Sequence, residues 1–170
     1  MEPKQQVRDA ASTAEDDEQT TVTALMTATR VLVGVATRAL ERLDAEVTLV
    51  EFRLLLALAE LGPSPSVKAA AWLGVAGSSV TRTSDRLQES GHLRRSRERP
   101  NRSVVRLELT ERGVDLVERV VAARREELGA IVARLPPGTT NQVATSLELL
   151  FDAAGDVFDE PAVPAELRAP

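Results

Sequence analysis

Six arginines lie within thirteen positions of the chain, and their side chains suggest the first chemistry to test. They are Arg94, Arg95, Arg97, Arg99, Arg102 and Arg106. Guanidinium groups bind phosphates and guanine edges through paired hydrogen bonds. A charge run is equally common on a solvated protein surface, so the arginines alone leave both interpretations open. The surrounding sequence has to separate them.

The distribution of charge along the chain favours the first interpretation. The formal net charge is -5, yet residues 78–112 hold nine arginines against five acidic residues. Both ends are acidic, since residues 1–20 carry two basic and six acidic groups and residues 148–170 carry one and six. A basic island on an acidic protein fits a polyanion that is held by one face.

Composition excludes several classes of protein. With 170 residues, the chain is predicted to form one domain, with or without a helical appendage, around an aliphatic core. It contains no cysteine and one histidine, so disulfides, thiolate sites and histidine-based metal sites are not expected. No catalytic constellation or cofactor motif is present, and no enzyme activity is predicted. Neither a signal peptide nor a membrane-length apolar stretch was found, which predicts a soluble cytoplasmic protein without a membrane partner.

Helical periodicity places two short helices ahead of the arginines. A long amphipathic helix is predicted over residues 21–44. The next helix begins with a capping box formed by Thr48 and Glu51, and it ends at Gly62. The stretches "SPSVKAAAWL" and "SSVTRTSDRLQES" follow, separated by the glycine-bearing "LGVAG". Two short helices around such a turn are typical of a helix-turn-helix.

The arginines themselves fall in a predicted β-hairpin. Apolar residues alternate after Ser103, as expected of a strand over residues 105–109. "HLRRSRE" is its expected partner, because "RPNR" at 99–102 places Pro100 and Asn101 in the centre of a tight turn. Thr110 is then predicted to cap a long helix that reaches about residue 135, and a last helix follows "PPGTT".

Taken in order, these elements resemble a winged helix-turn-helix flanked by dimerisation helices. "VTLVEFRLLLALAELG", "SSVTRTSDRLQESGHL" and "NRSVVRLELTERG" are similar to the MarR family of bacterial transcription regulators, over about residues 25–158. The resemblance implies a mainly α fold with a small β-hairpin wing. It divides the chain into an N-terminal dimerisation helix (21–47), the DNA-binding domain (48–112) and C-terminal dimerisation helices (113–159). The polar, aperiodic residues 1–20 are predicted to be a disordered acidic segment, and the Pro-rich residues 160–170 a frayed tail.

Candidate DNA contacts follow from the residues of the second short helix and the hairpin. Hydroxyl groups there can bind phosphates, and Arg82 and Arg86 offer two guanidinium forks on one face for guanine edges. The alternative is a solvated face with pairing to Asp85 and Glu89. The resemblance implies that Arg102 enters the adjacent minor groove. The predicted DNA-binding residues are Ser78, Ser79, Thr81, Arg82, Arg86, Arg97, Arg99 and Arg102.

The resemblance also implies partners for the chain. It predicts a homodimeric, ligand-responsive repressor on a pseudo-palindromic operator, so that the partners are double-stranded DNA, a second copy and a small-molecule effector. The effector pocket would lie between the dimerisation helices and the winged domain, where Arg30 or Arg53 could pair with an acidic ligand. A protein-interaction module, or a regulator without an effector, is the alternative. Asn101 stands where the family usually has Asp, which puts the bracing of the wing in doubt.

Overall fold

Two helices begin at the side-chain caps that the sequence predicts. In the computed structural model, Thr48 Oγ1 accepts a hydrogen bond from the Glu51 amide at 3.3 Å, and the Glu51 carboxylate accepts one from the Thr48 amide at 2.7 Å. Thr110 Oγ1 likewise accepts from the Gly113 amide at 3.1 Å. Each cap satisfies an amide that the helix itself leaves without an acceptor, which fixes where the helix begins.

The structure describes the backbone of residues 3–43, 45–97 and 104–158 and the side chains of residues 16–43, 45–97 and 104–155. Within these ranges the fold is mainly helical with a small antiparallel sheet, as predicted. The elements are α1 (Pro3–Arg42), α2 (Leu49–Leu61), β1 (Ser64–Pro65), α3 (Ser66–Leu73), α4 (Gly77–Glu89), β2 (Leu93–Arg97), β3 (Val105–Leu109), α5 (Glu111–Val132) and α6 (Thr140–Phe158).

The sheet contains one strand that the sequence analysis missed. Its order is β1-β3-β2, with both pairs antiparallel. Ser64 lies opposite Leu107, and the Ser64 hydroxyl donates to the Leu61 carbonyl at 3.3 Å. A two-residue strand has no alternation of its own, because its pairing is determined by a segment about forty positions later in the chain.

A largely aliphatic core holds α4 and the sheet against α2 and α5. Its most enclosed large side chains include Phe52, Leu55, Leu87 and Leu107, each at most 1% exposed. The small number of aromatic residues in the sequence predicted this composition. Close aliphatic packing of this kind gives α4 a rigid support, so its exposed side chains project from a fixed surface.

Helix α1 corrects two expectations. It begins at Pro3, so the prediction of disorder over residues 1–20 is wrong for the described part of that segment. The part of α1 from Asp16 to Arg42 also contains an 18-residue window with a mean hydropathy of 1.3, long and apolar enough to cross a membrane by length and composition, contrary to the prediction that no such stretch exists. Arg30 near the middle of this stretch would be costly in a bilayer.

The chain divides into two compact units, Met1–Arg38 and Ala39–Pro170.

His92 is buried at the junction between α4 and β2. Its side chain is 3% exposed, and its Nδ1 lies 2.8 Å from Ser90 Oγ. Burial lowers the pKa of His92 below its ordinary value of 6.5, the nearby charge of Arg112 lowers this pKa further, and Glu46 opposes both effects. The imidazole is therefore neutral in the folded protein at neutral pH.

We expect the free energy of unfolding to fall as the pH drops below about 6.5, because the unfolded chain then binds a proton on His92 more readily than the folded chain does. The loss should level off once the pH passes the lowered pKa and the folded state is protonated as well. Urea unfolding between about pH 7 and pH 5 measures this change. In His92→Asn the free energy of unfolding should depend less on pH between about pH 7 and pH 5. An equally steep dependence in the variant would mean that other groups cause the loss of stability.

Candidate nucleic-acid interface

Helix α4 buries one face and exposes the other. Val80, Ser84 and Leu87 form the buried face, at the spacing of one helical stripe. Ser84 is the polar member of this face, and its hydroxyl donates to the Thr81 carbonyl at 2.8 Å, so the buried hydroxyl has an acceptor. The helix is thus fixed to the core although it carries a buried hydroxyl.

The exposed face of α4 carries the predicted phosphate-binding hydroxyls at its N-terminal end. Ser78 and Thr81 are exposed, and Ser79 is half-buried. Thr81 Oγ1 donates to the Gly77 carbonyl at 3.1 Å, which leaves its oxygen free to accept but not to donate. Ala76 precedes the helix and supplies no side-chain cap. Amide groups at this end therefore remain available for an anionic oxygen.

The two arginines of α4 differ in their surroundings. Arg82 is exposed and forms no ion pair with any residue that the structure describes. The Arg86 side chain is 73% exposed, yet its Nη1 lies 3.7 Å from Oε1 of Glu51 on α2. Both lie on the solvent side of α4, as predicted. Pairing with Asp85 and Glu89, the alternative considered from the sequence, is observed for neither.

Three of the six clustered arginines support the fold. Arg94 holds Glu108 on the neighbouring strand through two hydrogen bonds, of 2.8 Å from Nε and 2.6 Å from Nη2. This contact lowers the pKa of Glu108 and raises the pKa of Arg94. Arg95 pairs with Asp85 of α4, and Arg106 Nη2 donates to the Pro63 carbonyl at 2.7 Å. Each of these three arginines thus has a structural role, because at least one of its donors binds a protein oxygen.

Arg97 at the end of β2 is exposed, and among the described residues it has no ion-pair partner. The predicted contacts Arg99 and Arg102, and the turn at Pro100 and Asn101, lie outside the described residues. Cross-strand pairing links β2 to β3, and the Asp85 contact of Arg95 links β2 to α4. Arg97 therefore lies at the end of a strand that is linked to α4.

Sequence analysis identified Glu51 only as part of a capping box and missed its contact with Arg86. The capping box is a local signal, because its two residues are three positions apart. The contact with Arg86 joins two residues that are 35 positions apart and lie on different helices. Asp85 was considered only as a partner for the arginines of its own helix. Its actual partner, Arg95, lies on β2. Neither contact follows from periodicity, because the packing of α2, α4 and the sheet creates both.

An open cavity of about 460 Å³ lies between α2, β3 and α5. Aliphatic side chains form most of its wall, including Leu56, Leu109 and Val117, and charged groups stand among them. Arg125 is the arginine that lines it, whereas Arg53 is directed to the Leu73 carbonyl at 3.5 Å. Among the side chains described, no group of His, Asp or Glu is arranged to hold a metal ion.

Known proteins resemble this chain in sequence and in fold. No protein-family model matches it. An uncharacterized HTH-type transcriptional regulator, YpoP of Bacillus subtilis, is 30% identical over 109 residues, which cover 64% of this chain and 75% of the relative. The crystal structure of RV1404 from Mycobacterium tuberculosis is 31% identical with a TM-score of 0.71, and the match covers 79% of this chain and 92% of that one.

A third comparison concerns the fold. A MarR family protein from Bacillus stearothermophilus matches with a TM-score of 0.74 at 21% identity, over 82% of this chain and 96% of the other. Together with the sequence relative, it confirms the resemblance on which the sequence analysis relied. The chain belongs to the MarR family of helix-turn-helix transcriptional regulators and is a DNA-binding regulator.

Proposed function

We propose that the protein is a cytoplasmic homodimeric repressor that binds a pseudo-palindromic operator, with one winged helix-turn-helix on each half-site. The observation that carries this proposal is the exposed arginine pair of Arg82 on α4 and Arg97 on β2. Both side chains are without an acidic partner among the described residues, on elements that the core and the Asp85–Arg95 contact hold together. A rigid helix with a neighbouring basic strand fits a major groove and the backbone beside it.

Apolar side chains exposed at both ends of the chain support a dimer. In α1, Met26 and Leu32 are 65% and 50% exposed. In α6, Leu147 and Phe151 are 39% and 40% exposed. Apolar helix stripes of this kind are normally covered, and a second copy of the chain is the occupant we propose. Coverage by a second copy also accounts for the membrane-like composition of α1 without a membrane.

The cavity between α2 and α5 is our candidate for an effector site. Its volume of about 460 Å³ falls in the usual range for small-molecule pockets, and its mostly aliphatic wall favours an apolar ligand body. Helix α2 lines the cavity with its C-terminal half and contacts Arg86 with its N-terminal half. A ligand that prefers one position of α2 would therefore change DNA affinity.

Arg86→Ala should weaken binding to the preferred DNA sequence by roughly 1 to 3 kcal/mol, with a much smaller loss on scrambled DNA, because a guanidinium on a base edge discriminates between bases. Arg97→Ala should weaken binding to the preferred and the scrambled duplex by the same factor. It should also reduce the slope of log affinity against log salt concentration by about one unit, as expected for one lost phosphate contact. Fluorescence anisotropy over a salt series measures both effects. The preferred duplex is the sequence that the wild-type protein enriches from a random library.

Arg94→Ala is the matched control for these variants. Its guanidinium is already bound to Glu108, so its removal should change neither the salt slope nor the preference between the two duplexes. If Arg94→Ala and Arg97→Ala gave the same slope, the distinction between structural and DNA-facing arginines would be wrong. A wild-type protein that enriches no sequence would contradict operator binding and would favour the protein-interaction alternative.

A further inference from the structure

The Glu51 carboxylate is shared between two helices. Its Oε2 accepts hydrogen bonds from the Thr48 amide at 2.7 Å and from Thr48 Oγ1 at 2.9 Å. Its other oxygen, Oε1, faces α4 and lies 3.7 Å from Arg86 Nη1. The Glu51 side chain is only 10% exposed. The cap of α2 thus fixes a negative charge beside Arg86, one of the two arginines of α4.

This placement restrains Arg86 without burying it. An exposed ion pair is usually weak, because two flexible side chains must both be ordered. Here the carboxylate is already ordered by the cap, so only the arginine loses freedom when the pair forms. A guanidinium carries five N–H donors, and a single contact at Nη1 leaves most of them facing solvent. Arg86 can therefore donate to DNA while it stays beside Glu51.

Arg82 provides an internal comparison, since it lies one helical turn earlier on α4 and has no such carboxylate among the described residues. A free guanidinium can follow phosphates of any sequence. A restrained one that is partly neutralised gains less from the phosphate charge and loses less entropy on meeting a base edge. The two arginines should therefore contribute differently to sequence preference.

We propose that Glu51 is a specificity-determining residue: it positions Arg86 for base contacts and limits its binding to phosphates of arbitrary sequence. The inference rests on the proposed function, in which α4 enters the major groove. It assigns to the capping carboxylate of α2 a role in reading DNA that is separate from its role in starting the helix.

Glu51→Gln tests the proposal, because glutamine also serves in a capping box while it removes the charge that faces Arg86. The probes are the duplex enriched by the wild-type protein and a scrambled duplex of the same composition. We expect the ratio of the two affinities to fall roughly twofold to fivefold, the range of a single partly exposed ion pair, mainly through tighter binding to the scrambled duplex. In an Arg86→Ala background, Glu51→Gln should leave the ratio unchanged.

Two control variants separate this role from stability and from net charge. Thr48→Ala removes one of the two hydrogen bonds that hold Glu51 Oε2 but keeps the charge and the bond from the Thr48 amide, so it should lower the melting temperature and change the affinity ratio less than Glu51→Gln does. Glu89→Gln removes a charge from α4 that has no ion-pair partner among the described residues, and it should shift both affinities together. An unchanged ratio in Glu51→Gln, or the same change with and without Arg86, would overturn the proposal.

A measurement on the wild-type protein keeps the proposal testable if Glu51→Gln does not fold. Relaxation of the side-chain Nε in nitrogen-labelled protein should show a more ordered Arg86 than Arg82 in the absence of DNA. Equal order in the two side chains would contradict the restraint. Absence of any sequence preference in the wild-type protein would instead be a failure of the proposed function, so the two failures are distinguishable.

Discussion

Gly113→Ala is expected to destabilise the protein by about 3 kcal/mol or more, the largest effect of any single change considered for the protomer. A Cβ atom at this position would lie 2.2 Å from the His92 carbonyl oxygen and 3.2 Å from the carbonyl carbon. These are backbone atoms, and the same oxygen accepts a hydrogen bond from the Thr110 amide at 3.2 Å. The first turn of α5 would have to move away from the junction between α4 and β2.

Gly129→Ala in the same helix is the control for this change. A Cβ there meets no atom within 4 Å, so we expect a gain of about 0.5 to 1 kcal/mol from the lower flexibility of the unfolded chain. Urea unfolding gives both values, and the loss at Gly113 corresponds to a melting temperature lower by roughly 6 to 12 °C. Equal stability of the two variants would mean that α5 does not approach His92 as closely as the structure shows.

Leu147→Glu is expected to abolish dimerisation at micromolar concentration. Leu147 is 39% exposed in the protomer, so a glutamate there should cost little in an isolated chain. Beneath a second copy it would bury an uncompensated charge, which costs at least about 3 kcal/mol and weakens association more than a hundredfold. Sedimentation equilibrium should show a mass of about twice 18.3 kDa for the wild-type protein and the mass of one chain, 18.3 kDa, for the variant.

Leu149→Glu is the matched control in α6. Leu149 is 67% exposed, and two positions along a helix turn it about 200° away from Leu147. The same charge at this site should leave the dimer intact. Dissociation by both variants would place the whole surface of α6 in an interface, and a wild-type protein that is monomeric at micromolar concentration would contradict the dimer.

Local signals in the sequence predicted most elements of the fold. The caps at Thr48 and Thr110 each depend on side chains within three residues, and both are present in the structure. The short strand β1 was missed because its pairing partner is distant in the chain. The helical start of α1 was missed because acidic composition was weighed above helix propensity. Once residues 21–42 form a helix, each alanine, glutamine or glutamate added at its N-terminus extends it without a new nucleation step.

Of the six clustered arginines, the sequence analysis predicted Arg97, Arg99 and Arg102 as DNA contacts and assigned no partner to the other three. Strand register places Arg94 opposite Glu108, and packing places Arg95 beside Asp85. Arg82 and Arg97 have no acidic partner among the described residues. Tertiary contacts decide which cations remain available for DNA, and periodicity carries no information on those contacts. The same reason explains why the contact between Glu51 and Arg86 could not be predicted.

The most direct test of the central claim is a hydroxyl-radical footprint of the wild-type protein on the duplex that it enriches from a random library. Two α4 helices of one dimer, each in a major groove, predict two protected clusters related by twofold symmetry, with centres about 10 base pairs apart or a small multiple of that spacing. The protection should weaken as salt concentration rises. A single asymmetric cluster, or no protection at low salt, would contradict a dimer that reads DNA with α4.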